Sequence, residues 1–177
     1  SHGSLLWGTA APRALVERAL ALGYRALALT DRDNLYLAIA FDQAARAAGL
    51  VPLLGAEVTG HRGTGVPTRS VGPPRGSAAW VRPPAGAAAA PREPGALLIA
   101  LDRRGYANLC AVLSARHLDA GFDLVRALGE SYAGLHVVVE SPGLAAALLA
   151  TGVPAAVPGY SRGGYPREAW VRVRPGK

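Results

Sequence analysis

Cysteine and lysine occur once each, and phenylalanine only twice, in a chain of 177 residues. A lone cysteine, Cys110, excludes a disulfide framework and a thiolate zinc site. Set among Leu109, Val112 and Leu113, it reads as a small apolar core residue. With Lys177 the only lysine, arginine carries the formal charge of +7. Such a balance suits an acidic partner, nucleic acid above all, although a coding sequence rich in G and C raises Arg, Ala, Gly and Pro together to the same effect. No apolar run reaches membrane-spanning length, and the opening SHGSLLWGTAAP lacks a signal-peptide layout. The expectation is a soluble, cytoplasmic protein with no membrane partner. Also missing are a Gly-x-Ser-x-Gly elbow and a phosphate-cradling P-loop, and Ser4 has no paired base.

What is present is a helix–strand alternation built on small side chains. Pro12 opens a helix with Leu15, Val16, Ala19 and Leu20 on one face and Arg13, Glu17 and Arg18 on the other, ended by Gly23. Ala26 to Leu29 reads as a short buried strand. Thr30 and Asp33 have capping-box spacing for the helix that follows, whose apolar face is Leu35, Ala38, Ile39 and Ala45 and whose end is Gly49. Val51 to Leu54 is the next strand. Later come a strand at Ala96–Leu101, helices at Arg103–Asp119 and about Phe122–Glu130, a strand at Leu135–Val139, a helix at Gly143–Ala150 and a strand at Ala169–Val173. Strands apolar on both faces and separated by helices predict a parallel α/β sheet with helical cover. Between Gly60 and Pro94 the pattern collapses into HRGTGVPTRSVGPPRGSAAWVRPPAGAAAAPREP, rich in Pro, Gly and Arg and almost free of aliphatic residues. Such a segment buries too little to offset its ordering entropy and reads as a flexible, disordered insertion within a single domain spanning residues 1–177.

The most informative stretch is ALALTDRDNLYLAIAFDQAARAAGLVPLLGAEV, residues 26–58, whose strand ends carry Asp31, Asp33 and Glu57. The carboxyl ends of parallel strands are where α/β folds place chemistry. Carboxylates gathered there point to a divalent ion or a proton-transfer role.

SLLWGTAAP, LVERALALGYRALALTDRDNLY, LVPLLGAEV and LLIALDRRGYANLCAVLSARHLD together resemble the amino-terminal part of the polymerase-and-histidinol-phosphatase (PHP) domain of bacterial DNA polymerase III alpha subunits, the error-prone type included. The resemblance implies a distorted β/α barrel, here partial, with a cluster of divalent ions held mainly by histidines at the strand ends. Such a cluster turns bound water into hydroxide near neutral pH and clamps phosphate oxygens. Polymerase members either use it for hydrolysis or have lost it and keep the domain as scaffold. This chain departs from the implied ligand set. Only His2, out of register, stands near the expected His-x-His; Trp7 replaces an acidic residue; Arg32 replaces the histidine of a Thr-Asp-His motif; and Gly95-Ala96 stand where another histidine is expected. Glu57 alone keeps a matching ligand position.

The resulting expectation is a degenerate metal site plugged by Trp7 and Arg32, with Arg32 answering Glu57 across the strand ends and no cofactor required. The chain would then be a non-catalytic scaffold or docking domain for polymerase modules or replication subunits, in DNA replication or translesion repair. Two further readings compete. In one, Asp31, Asp33 and Glu57 hold a single Mn, Mg or Zn ion for phosphoester hydrolysis. In the other, the Arg-rich insertion with Trp80 binds single-stranded nucleic acid by charge and stacking. The bland expectation for Asp31 and Asp33 is helix capping and pairing with Arg32 or Arg25. For His117 it is a favourable place at a helix end, and for His136 a partly buried place on a strand.

Overall fold

Pro12, whose ring presets a helical φ, opens α1 (Pro12–Ala21) of the computed structural model, which describes residue 1 and residues 9–60, 95–158 and 170–172. There follow β1 (Ala26–Arg32), α2 (Ala38–Ala47), β2 (Val51–Thr59), β3 (Gly95–Ala100), α3 (Arg103–Leu118), α4 (Leu124–Ser131), β4 (Leu135–Val139), α5 (Pro142–Ala150), β5 (Ala155–Pro158) and β6 (Trp170–Arg172). The expected flexible insertion lies outside the described residues apart from Gly60. Its two ends meet, however, because Thr59 is the register partner of Gly95. The insertion therefore replaces the turn of an antiparallel hairpin.

The six strands form one sheet in sequential order. β1–β2 and β4–β5 are parallel, as expected, whereas β3 opposes both of its neighbours and β6 opposes β5. The α/β class and the incomplete barrel stand; the uniformly parallel sheet does not. For β4 the cause is the parity of the connections. One helix between two strands carries the chain back to the end where the first strand began and makes the next strand parallel, as α2 and α5 do. Two helices, α3 and α4, lie between β3 and β4. The chain re-enters the sheet where it departed, and Leu101 N donates to Gly134 O at 2.9 Å.

Two apolar clusters hold the layers. The first joins α1, α2 and β1 through Val16, Ala19, Leu29, Phe41, Ala45 and Leu50. Phe41 is fully buried, worth about 2–3 kcal/mol. The second packs α3, α4 and α5 on β2–β5, with Val58, Leu98, Leu109, Leu128, Val137 and Leu148 at its centre.

The Gly-Tyr-x-Asn-Leu segment is the seam between α3 and the turn before β4. Asp102 caps α3 by accepting from Gly105 N at 2.7 Å, and Asn108 Nδ2 donates to Ala133 O at 2.7 Å. A Cβ at Gly105 would lie 1.9 Å from Gly134 O, so only glycine lets the two backbones approach. Leu109 fills the core beneath. Cys110, expected in the core, is partly buried. Tyr106 sits one turn before it; desolvation, and next the charge and hydrogen bond of Cys110, raise the phenol's pKa above 10.0.

Candidate functional site

The carboxyl ends of β1, β2, β4 and β5 and the start of β3 form one rim of the sheet. Register decides which side chains share a face there. Asp31 is the partner of Ala56, and Arg32 of Glu57. Since successive side chains alternate between faces, Asp31 points to the face covered by helices, as Ala56 does, and Glu57 to the opposite face beside Arg32. Across that opposite face the row continues from Glu57 to Leu97 and Val138.

Each carboxylate has a different environment. Asp31 is 1% exposed. Its Oδ1 accepts from the Ser1 amino group at 2.8 Å, and Ser1 Oγ lies 2.8 and 2.6 Å from its two oxygens. Asp33 lies past the end of β1 with a left-handed φ of 52°, a conformation Asp tolerates better than most residues. Its Oδ1 accepts from Thr59 N at 2.8 Å, its Oδ2 from Thr59 Oγ1 at 2.6 Å, and its own N–H donates to Glu57 O at 2.8 Å. Asp33 thus ties the end of β1 to the end of β2. Glu57 is exposed, and its relation to Arg32 is one of register. Ion pairs between described side chains include Arg13–Glu17, Arg46–Asp42, Arg116–Asp33 and Arg126–Asp119.

The last turn of α3 completes the arrangement. Arg116 Nη2 donates to Thr59 Oγ1 at 3.1 Å, its Nε stands 3.8 Å from Asp33 Oδ1, and its guanidinium lies 5.9 Å from the Phe122 ring centroid. Arg116 Nε is buried without a hydrogen-bond partner. His117 Nε2 is 2.6 Å from Asp33 O; that nitrogen therefore carries the proton and donates.

Neither Asp31 nor Asp33 caps α2, which starts after Leu37 without a side-chain cap. This corrects the capping-box expectation. Asn34 shapes the turn instead, accepting from Tyr36 N at 3.1 Å and donating to Arg32 O at 2.8 Å. Thr59, Arg116 and Asn34 were not singled out from the sequence, because their roles depend on contacts across the sheet. His136, partly buried as expected, pairs with Ile99 near the other end of β4, away from the rim. Trp7, His2 and Ser4 lie outside the described residues.

The three carboxylates proposed as ligands are therefore not brought together. Two point to opposite sheet faces, and the third has both oxygens engaged by Thr59. Among the described residues no three His, Cys, Asp or Glu side chains group as a metal site would require. Arg32, a permanent cation, occupies the face that Glu57 shares. This donor set does not fit a multinuclear cluster.

The PHP domain family matches residues 1–149. The chain belongs to this family. Curated relatives of this PHP domain are error-prone DNA polymerases. That of Nocardia farcinica is 34% identical over 134 residues, covering 67% of this chain and 12% of the relative. That of Mycolicibacterium paratuberculosis is 36% identical over 120 residues, covering 67% and 9%. The PHP domain thus spans about a tenth of the relatives it matches. Among solved structures, a chain described as a metal-dependent phosphoesterase, from Bifidobacterium adolescentis, aligns over 84% of this chain and 71% of its own. Its TM-score is 0.47 at 16% identity, too loose to assign chemistry. No helix among the described residues is long and apolar enough to cross a membrane.

Proposed function

We propose that this PHP domain is a non-catalytic architectural module of an error-prone-type DNA polymerase, supporting polymerase modules or docking replication subunits during DNA replication or translesion repair. The observation that carries the reading is the register at the rim. It sets Arg32 beside Glu57 on one face and turns Asp31 to the other, while Asp33 holds Thr59. A guanidinium next to the one retained ligand position supplies fixed positive charge where relatives with an intact site would hold ions. The error-prone polymerase relatives support the wider context.

The test is metal content together with hydrolysis. The full chain is equilibrated with Mn²⁺ or Zn²⁺, desalted and analysed by inductively coupled plasma mass spectrometry, and p-nitrophenyl phosphate turnover is followed with added Mn²⁺. The architectural reading expects less than one retained ion per chain and no turnover above background. Two or more retained ions would overturn it. So would turnover abolished by Glu57→Ala, which would favour the single-ion phosphoesterase built on Asp31, Asp33 and Glu57.

A further inference from the structure

Tyr36, Ile39 and Leu118 are 75%, 71% and 86% exposed, the three most exposed large apolar side chains among the described residues. Apolar residues scattered singly over a surface need no explanation, but these three share a corner. Tyr36 and Ile39 stand three positions apart where the chain enters α2, and Leu118 is the last residue of α3. His117 Nε2 lies 2.6 Å from Asp33 O, so the end of α3 rests against the turn that leads into α2. The boundary between the two apolar clusters runs through the same corner. Leu37, Phe41 and Ala45 belong with the first cluster, whereas Leu113 and Ala115 of α3 belong with the second, as does Leu35. Residues 35–39 thus pass from one cluster to the other, and Tyr36, Ile39 and Leu118 join neither.

Area and charge together indicate what covers this corner. A tyrosine offers about 150 Å² and each aliphatic side chain about 100 Å², which makes about 350 Å² in all. A standard interface buries about 800 Å² per partner, of which about 450 Å² is apolar. The corner therefore supplies most of the apolar surface that one side of a stable dimer needs, anchored by an aromatic ring of the kind interfaces favour. Its surroundings are close to neutral in a chain of formal charge +7. The turn after β1, α2, the end of α3 and the entry to α4 hold four carboxylates, Asp33, Asp42, Asp119 and Asp123, against three guanidiniums, Arg46, Arg116 and Arg126. Arg46 pairs with Asp42, Arg126 with Asp119, and Arg116 stands beside Asp33. Two copies can meet here without the repulsion that their overall charge imposes, whereas a strongly charged partner gains nothing from such a rim.

From this corner, its area and its charge balance, we propose that Tyr36, Ile39 and Leu118 form the contact of a two-fold homodimer, covered by the same corner of a second copy of this chain. In such a contact each patch covers its twin, so association closes at two. The proposal uses none of the carboxylates Asp31, Asp33 and Glu57 and does not depend on the architectural reading.

The test is sedimentation velocity of the full chain across the micromolar range, at low and high salt. Wild type is expected to form a dimer and no larger species, with an affinity that salt does not weaken, because apolar burial rather than ion pairing drives it. Ile39→Glu and Leu118→Glu should each weaken the dimer at least tenfold, and the double variant should abolish it, since each change buries an unpaired carboxylate against its twin. Leu101→Glu makes the same charge change at a side chain 67% exposed beyond the end of β3 and should leave affinity within twofold. Circular dichroism melts, taken at a dilution where wild type is monomeric, should match wild type for every variant, because the altered side chains are exposed in the monomer. A wild type that stays monomeric throughout overturns the proposal and leaves the corner to a different kind of partner. So does a dimer that survives Ile39→Glu/Leu118→Glu, one that Leu101→Glu weakens as much, or one that high salt dissolves. Growth beyond the dimer would also overturn it, as the mark of an open-ended contact.

Discussion

Replacing Asp33 with alanine separates a structural carboxylate from a ligand. In the folded chain its oxygens accept from Thr59 N and Thr59 Oγ1 at 2.8 and 2.6 Å. Thr59 is 2% exposed, so water cannot replace both bonds without a shift in the strand end. A hydrogen bond to a charged group contributes about 1.5–3 kcal/mol net. The Arg116 contact, 3.8 Å long and partly exposed, adds little after solvent screening. Alanine also tolerates the φ of 52° less well than aspartate, by about 1 kcal/mol. Because these terms overlap, the expected loss is about 3 kcal/mol, or a fall in melting temperature of about 6–12 °C for a domain of this size. Asp33→Asn keeps one acceptor and tolerates the left-handed conformation, so it should lose about half as much. Thermal and urea melts followed by circular dichroism read both variants. If Asp33→Ala is as stable as wild type or more so, Asp33 is not the tie between β1 and β2, and a ligand role returns.

Further expectations follow from the same geometry. Excising residues 61–94 and joining Gly60 to Gly95 through a turn of about four residues shortens the loop about eightfold. By loop-closure entropy the chain should become more stable by about 2 kcal/mol; a loss of cooperative unfolding would show that the insertion holds the fold. Gly105→Ala drives a Cβ to 1.9 Å from Gly134 O and should lose about 3 kcal/mol or more, measurable by urea denaturation. The raised phenol pKa of Tyr106 means that the folded state keeps its proton longer than the unfolded state. Its stabilising effect is complete below pH about 10 and declines as pH rises through the folded value. Tyr106→Phe should flatten that alkaline decline in a stability–pH series and leave it unchanged at neutral pH.

Much of the fold was legible because the side-chain pattern is local. The Val16–Ala19 face of α1 and the buried Phe41 and Ala45 of α2 follow from helical periodicity, and Gly60 and Gly95 mark the edges of the insertion. β5, framed by Pro154 and Pro158, is too short and too Pro-flanked to show a pattern. The reversal between β3 and β4 was available in the count of helices between them but requires the sheet to be assembled first. The rim was hardest to read. Asp31, Asp33 and Glu57 look alike in a sequence, and only the pairing of Asp31 with Ala56 and of Arg32 with Glu57 separates their faces. Asp33 acts on Thr59, a residue 26 positions away.

The sequential order of the strands has a consequence for how the chain comes to be folded. Each strand is laid against its predecessor, so no strand waits for a later segment to insert beside it. The cluster around Phe41 is complete once Leu50 has been made. A nascent chain leaving the ribosome can therefore consolidate this cluster as a seed and add the remaining sheet along a single advancing edge.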